Sequence, residues 1–560
     1  IDSSPVGRKS WPRGPGRRKA LGPIRLRRLG SATLCSGALR PASAMSGSAR
    51  SNGVESAALL SGAGERRADQ RELIRTVPSS VVLRRCAAVF GVAPVYFAIS
   101  SASGRGGEAA HGDLHDALWN LGAPADSIDD FVSHSWSDSR LKKCLALLYY
   151  YNGRLTLAVA MALSAVVFAG GVAVRLAAPS RAMGPFWVWL LCLDLPAAVY
   201  LAVLCFGHRI TCNAVGSRVW LDKICVHQGD PERKAMGIRL IGDILRRSRR
   251  MIILHSDAYS SRLWCVYELG QFLASSPVDS LRFLSLDTAM FTLAGFFCSV
   301  GSVLSSQWHF QSAAEDLEHV NDQLGEAMWV PTLAVSAYWV IAFSPFSIPL
   351  AAALAARLAT QSSVNDGLST FTVSAAACTV ESDRAVVEGA LREAWGDLSR
   401  FEDTVRTEVK ACVADVLGAH TRVPYSAQLV LWMPLLWNGF CDILSTPDEV
   451  VEMQVPGWKT YVVVNMWFFG CQAFFLFPLL LQAFLKWVRL CTKLSSWRCL
   501  SIPLSATGML LCIFAGHFLL VGSALAGGAL MGTGIPGIAA AVVIYVATSV
   551  ALFAAVRALY

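Results

Sequence analysis

Leu155-Thr-Leu-Ala-Val-Ala-Met-Ala-Leu-Ser-Ala-Val-Val-Phe-Ala-Gly-Gly-Val-Ala-Val-Arg-Leu-Ala177 has no charged side chain in its first twenty positions. An α-helix needs about 20 apolar residues to cross a hydrocarbon layer about 30 Å thick, so this stretch reads as a membrane span. Similar runs follow at 185–206, 284–304, 330–354, 461–485, 502–525 and 535–559. A weaker run at 427–444 is interrupted by Pro434 and contains Asp442. The composition agrees: 54% of the 560 residues are hydrophobic and 16% charged, with a mean hydropathy of +0.45. A soluble domain carries about 25% charged residues. The fold class expected is an α-helical polytopic membrane protein of about eight spans.

Loop charges fix the count. Residues 208–250 carry ten Lys and Arg, and 486–500 carry Lys486, Arg489, Lys493 and Arg498 with no acid. Both belong on the cytosolic side by the positive-inside rule. The acidic segments 307–328 and 446–459 belong on the other side. Eight spans satisfy all four loops, with both termini cytosolic; omitting 427–444 would put 486–500 on the wrong face. The cluster Arg246, Arg247, Arg249 and Arg250 is read as part of this charge bias, with a lipid headgroup contact as the alternative.

The net charge of +9 comes mostly from the first 50 residues, where eleven Lys and Arg face the single acid Asp2. It is therefore not read as a nucleic-acid surface, and the partner expected is the lipid bilayer. Residues 1–80 read as a basic leader, a disordered tail or upstream sequence, with Met45 as a candidate start. Sixteen cysteines form no CxxC pair, so no metal site is expected. Those inside apolar runs, such as Cys192, Cys205, Cys298, Cys471 and Cys512, are expected to be buried free thiols.

Between the spans lie 81–153, 208–283 and 356–426, flanked by membrane hairpins at 154–207 and 284–355 and closed by a four-span bundle at 427–560. The segment 130–136 reads as a strand ending in polar residues, followed by a helix at 139–150. After the first hairpin, 218–222 reads as a second strand, 223–232 as a polar loop and 234–246 as an amphipathic helix. A third strand at 250–255, a helix over 264–273 capped by Ser260 or Ser261, and a strand at 281–284 complete the pattern. Alternating strands and helices predict a parallel sheet covered on both faces. Ligands in such sheets bind at the strands' carboxyl ends, which gathers Ser133, His134, Asp222 and Trp264 on one rim. In 356–426, Val386, Val387, Ala390, Leu391 and Ala394, then Phe401, Val405 and Val409, recur at helical spacing.

Phe131-Val-Ser-His-Ser-Trp136 resembles the first-strand motif of TIR domains, and Val219-Trp-Leu-Asp222 with its loop resembles their second strand and BB loop. Ser261-Arg-Leu-Trp-Cys-Val-Tyr-Glu-Leu269 is similar to the S-x-x-W-C-x-x-E-L helix start of plant-type members. The resemblance covers about 120 residues and extends to multi-pass protist proteins that carry this domain interrupted by spans. It implies a flavodoxin-like parallel sheet assembled from discontinuous segments. It further implies either self-association in signalling or cleavage of NAD at the nicotinamide–ribose bond, with Glu268 at the catalytic position. His134 departs from the usual residue of the first-strand motif and is weighed as a base or ligand. The competing reading of Glu268 is a helix-start charge paired with Arg262 or Arg140, and Trp136 and Trp220 are expected in the core. Within the membrane, Asp194 and His517 are ionisable and thus functional candidates, whereas the Gly-rich 521–534 stretch suits close helix packing. Three functions follow: a membrane-anchored TIR-like signalling or interaction module, an NAD-cleaving enzyme, or a channel or transporter with a cytosolic regulatory domain.

Overall fold

The computed structural model describes residues 72–559 apart from 91–110, 178–183, 211–215, 257–258, 325–328, 379, 418–422, 424, 447, 449–450, 452–456, 495–496 and 532–534. Eight of its helices are long and apolar enough to cross a membrane. They are Arg140–Ala177, Phe186–Ile210, Leu286–Ser305, Ser336–Ser369, Ala427–Ser445, Trp458–Leu494, Arg498–Ala524 and Pro536–Ala558. Each contains one of the eight apolar runs or most of it. The fifth is weak in hydropathy because it faces protein: its apolar window is 83% buried, against 11% for the eighth. A helix enclosed by other helices needs less lipid-compatible surface than one that meets acyl chains.

Polar contacts tie helix ends together in the alternating order. Lys142, at the start of the first helix, pairs with Asp287 at the start of the third at 2.6 Å. Thr360, near the end of the fourth, donates to the other Asp287 oxygen at 3.1 Å. At the opposite end, Arg175 of the first helix is buried. It donates to Leu444 O of the fifth at 2.8 Å and pairs with Asp448 at 2.7 Å. The starts of the first and third helices therefore share one face with the end of the fourth, and the ends of the first and fifth share the other.

A six-stranded mixed sheet lies at the first of these faces. Its strands are β1 Arg75–Pro78, β2 Ala123–Pro124, β3 Ile128–His134, β4 Arg218–Trp220, β5 Ser248–His255 and β6 Leu281–Ser285. The order is β2-β1-β4-β3-β5-β6. β4, β3, β5 and β6 run parallel, while β1 is antiparallel to both β2 and β4. Phe131, Val132 and Met251 to Leu254 are buried, as strands covered on both faces must be. Phe131 stacks on Trp220 at 4.4 Å.

Several local expectations are corrected. The tail cannot extend to residue 80, because β1 is paired within the sheet, between β2 and β4; residues 1–71 lie outside the described chain. Val89 and Phe90 are buried in a short 3₁₀ turn. The loop after β4 contains a helical turn, Asp222–Cys225, and the following helix breaks into Pro231–Arg239 and Ile241–Arg246. Asp230 caps the former by accepting from the Glu232 and Arg233 amides. The Leu263–Leu273 helix has Arg262, not a serine, at its N-cap position, with no side-chain cap. Its start is pinned instead by residue 377: Leu263 N donates to Ala377 O at 3.0 Å, and Ala377 N to Ser261 O at 2.7 Å.

In the segment after the fourth span, Val387, Leu391, Phe401, Val405 and Val409 are buried as the spacing predicts, whereas Val386 and Ala394 are exposed. Gly396 ends the Ser382–Trp395 helix at φ +77°, the left-handed backbone that favours glycine. Trp395 and the Ala390 carbonyl then bond to Gly270 O and the Gln271 amide at 3.0 and 3.1 Å. No disulfide forms among the described cysteines; Cys192 and Cys471 are buried, but Cys205 is exposed on the second span.

Candidate functional site

The parallel register carries the ends of β3 and β4 to one edge, beside the start of the helix that follows β5. A cavity of about 410 Å³ opens there. His134 and Trp136 line it from the β3 end, and Asp222 and Gln228 from the loop after β4. Trp264 and Glu268 face it from one side of the Leu263–Leu273 helix, and Lys234 and Arg262 complete the wall. Three of the four predicted rim residues, and the predicted catalytic carboxyl, thus share one cleft.

Ser133 does not line the cavity but supports it. It is buried, and its hydroxyl donates to Glu268 Oε2 at 2.5 Å and shares a 2.8 Å hydrogen bond with Tyr259 OH. Glu268 lies in the second turn of its helix, where the macrodipole has faded. Among the described residues it has no ion pair with Arg262 or Arg140. The helix-start and ion-pair reading of this carboxyl is not what the contacts describe.

Burial pushes the Glu268 carboxyl up from 4.5 to about 8; the Ser133 hydrogen bond opposes this and the Asp222 charge adds to it. Asp222 is itself raised by burial, against the Trp136 indole that donates to it at 2.6 Å and the Lys223 amide at 2.7 Å. His134 is buried and held well below its ordinary range, first by desolvation and then by Lys143 and Lys223. Its Nε2 has no hydrogen-bond partner among the described residues. Lys143, also buried, donates to Ser135 O at 2.6 Å. The cleft floor is therefore bonded directly to the helix that becomes the first span.

No protein-family model, curated protein or solved structure matches this chain.

The expected core placement holds for Trp220, which is fully buried, but not for Trp136, which is 53% exposed. Trp136 stands at the cleft mouth, its ring 4.8 Å beneath the Lys223 ammonium, because its indole is turned toward Asp222. The two intramembrane candidates do not meet. Asp194 ends a π-helical turn beside Pro196 and is exposed. His517 is sealed between the rings of Trp339 and Phe477, 5.2 and 5.5 Å away, with Nδ1 against Ile513 O. Their surroundings differ: one lies on an exposed helix face, the other between aromatic rings. Tyr259, Lys143, Lys234 and the segment at Ala377 are site elements that no local motif announces; only the fold brings them in.

The raised Glu268 carboxyl makes a stability prediction. The folded chain holds a proton that the unfolded chain releases, between pH 4.5 and about 8. Folding stability contributed by this group is thus fully present below 4.5 and declines as pH rises to about 8, by up to several kcal/mol. Glu268→Gln should remove that decline. The check is the thermal midpoint of both proteins across this window: the variant should gain on wild type as pH rises. Parallel midpoints would contradict the assignment.

Proposed function

We propose that the chain is a membrane-anchored TIR-like module whose cytosolic cleft takes NAD or a related dinucleotide, with Glu268 acting at the nicotinamide–ribose bond. The observation that carries this is the Glu268 carboxyl, steadied by Ser133 and opening onto a cleft beside Asp222. The parallel strands support it: in order of appearance they stand 2-1-3-4, as in flavodoxin-like sheets, and the cleft lies at their carboxyl ends.

The chemistry follows from the residues. Breaking the bond releases neutral nicotinamide and leaves an oxocarbenium-like ribosyl centre, which water then captures to give ADP-ribose and a proton. A carboxylate beside that centre stabilises it. Empty, the cleft favours the protonated acid at neutral pH; the pyridinium charge of bound NAD favours its ionisation. Trp136 and Trp264 offer ring faces to flat heterocycles, and Lys234 and Arg262 offer cations to the diphosphate. The exposed Trp136 also favours contact with a second copy, which would make turnover depend on protein density. A density-independent specific rate would remove that part of the proposal.

The test of binding is the thermal shift of purified full-length protein with NAD. Lys234→Gln and Arg262→Gln should each weaken apparent affinity by about tenfold. No NAD-dependent shift in the wild type, or unchanged affinity in both variants, would contradict a dinucleotide site here.

A further inference from the structure

On the same face of the bundle as the sheet, the end of the fourth span meets the junction between the sixth and the seventh. Together they enclose a cavity of about 500 Å³. Its floor is small and apolar, with Ala355 and Ala359 from the fourth-span helix. Its wall carries Arg489 and Lys493 from the sixth and Arg498 from the seventh, with Ser501 between them. No carboxylate lines it among the described residues. Asp366, one turn beyond the rim residue Ser362, is 3.5 Å from the Ser362 hydroxyl. None of the three cations forms an ion pair among the described residues.

That arrangement is unfavourable when empty. Arg489 and Lys493 are four apart on one helix face, where like charges repel, and Arg498 is brought against them from a different helix. An anion offsets all three. The surroundings identify its source: Leu494, Trp497 and Leu500 are 71%, 73% and 60% exposed. Large apolar side chains interleaved with cations at a span's end belong at the boundary between acyl chains and headgroups. The volume exceeds what a bare phosphate fills and suits a headgroup with its glycerol.

We propose that this cavity binds the headgroup of an anionic phospholipid from the sheet-side leaflet. The phosphate sits among Arg489, Lys493 and Arg498. The acyl chains run along the apolar surface below. The site is separate from the cleft at Glu268 and stands or falls independently of the NAD reading.

The experiment uses full-length protein purified in detergent and titrated with phosphatidylglycerol or phosphatidylcholine, with lipid retention and thermal midpoint as readouts. Wild type should retain the anionic lipid preferentially. The triple variant Arg489→Gln/Lys493→Gln/Arg498→Gln should lose that preference, by roughly fivefold for each cation removed. Lys486→Gln, on the same helix but outside the lining, should behave as wild type. If the triple variant does not fold, Arg489→Gln and Arg498→Gln are read singly, each with a roughly fivefold loss. Equal retention of both lipids by wild type would overturn the proposal. So would full retention by the cation variants, or complete reproduction of the stabilisation by inorganic phosphate, which would mark a soluble-anion site.

Discussion

Glu268→Gln should lower nicotinamide release from NAD by at least about a hundredfold, the scale at which a positioned carboxyl contributes to bond cleavage. The amide keeps the size of the carboxyl and its hydrogen bond to Ser133, so the helix and cleft stay in place. It removes only the capacity to become an anion beside the ribosyl centre. Affinity for NAD should therefore change little while turnover collapses, a loss in kcat rather than KM. Ser133→Ala should have a smaller effect, because Ser133 steadies Glu268 without lining the cavity. Dense samples in liposomes suit the assay, since anchored modules act at high local concentration. A Glu268→Gln protein that folds, binds NAD and turns it over at the wild-type rate would remove Glu268 from the reaction.

The second large effect is on folding. Asp130 is fully buried in β3, and its carboxylate pairs with Arg250 Nε of β5 at 2.7 Å and accepts from Tyr151 OH at 3.2 Å. Arg250 belongs to the basic cluster 246–250, whose charge reads in sequence as a topology determinant. In the structure its guanidinium neutralises a buried charge across the central strand pair. Arg250→Ala leaves that carboxylate with one hydroxyl, and should cost about 3 kcal/mol, the low end for a broken buried pair because the arginine is 30% exposed. Arg249→Ala, exposed on the same strand, should cost less than about 0.5 kcal/mol. Denaturation of the two variants in one detergent separates them. Equal midpoints would return Arg250 to the role of a surface charge.

The two residues illustrate what the sequence could and could not disclose. Spans are legible because twenty apolar residues in a row have few other uses, and even the weak fifth run is recovered by requiring charged loops to fall on consistent sides. The parallel strands are legible for a similar reason: Met251 to Leu254 are apolar throughout because both faces of β5 are covered. β1 and β2 escape notice because they are short strands at one side of the sheet, each ending in proline, with no alternation to betray them. The cleft was legible where one helix presents Trp264 and Glu268 four residues apart. It was not legible where contacts join distant segments: Tyr259 to Ser133, Lys143 to the carbonyl of Ser135, and Ala377 to the start of the Leu263 helix. The Arg250–Asp130 pair was illegible on the same ground, since a run of arginines carries no mark of which one faces Asp130.

The hinge between fold and membrane is also a matter of contacts. Lys143 and Lys142 are adjacent; one holds the cleft backbone at Ser135 and the other pairs with Asp287 at the head of the third span. Through these two side chains a rigid helix connects the site to the bilayer.

The central claim is that the cleft at the strand ends is a dinucleotide site centred on Glu268. Its most direct test is the structure of full-length Glu268→Gln protein determined with saturating NAD. The account predicts NAD in the cleft lined by Trp136, Asp222 and Trp264, with the nicotinamide ribose against residue 268 and the diphosphate toward Lys234 and Arg262. An empty cleft at that concentration, or NAD bound elsewhere, would contradict it.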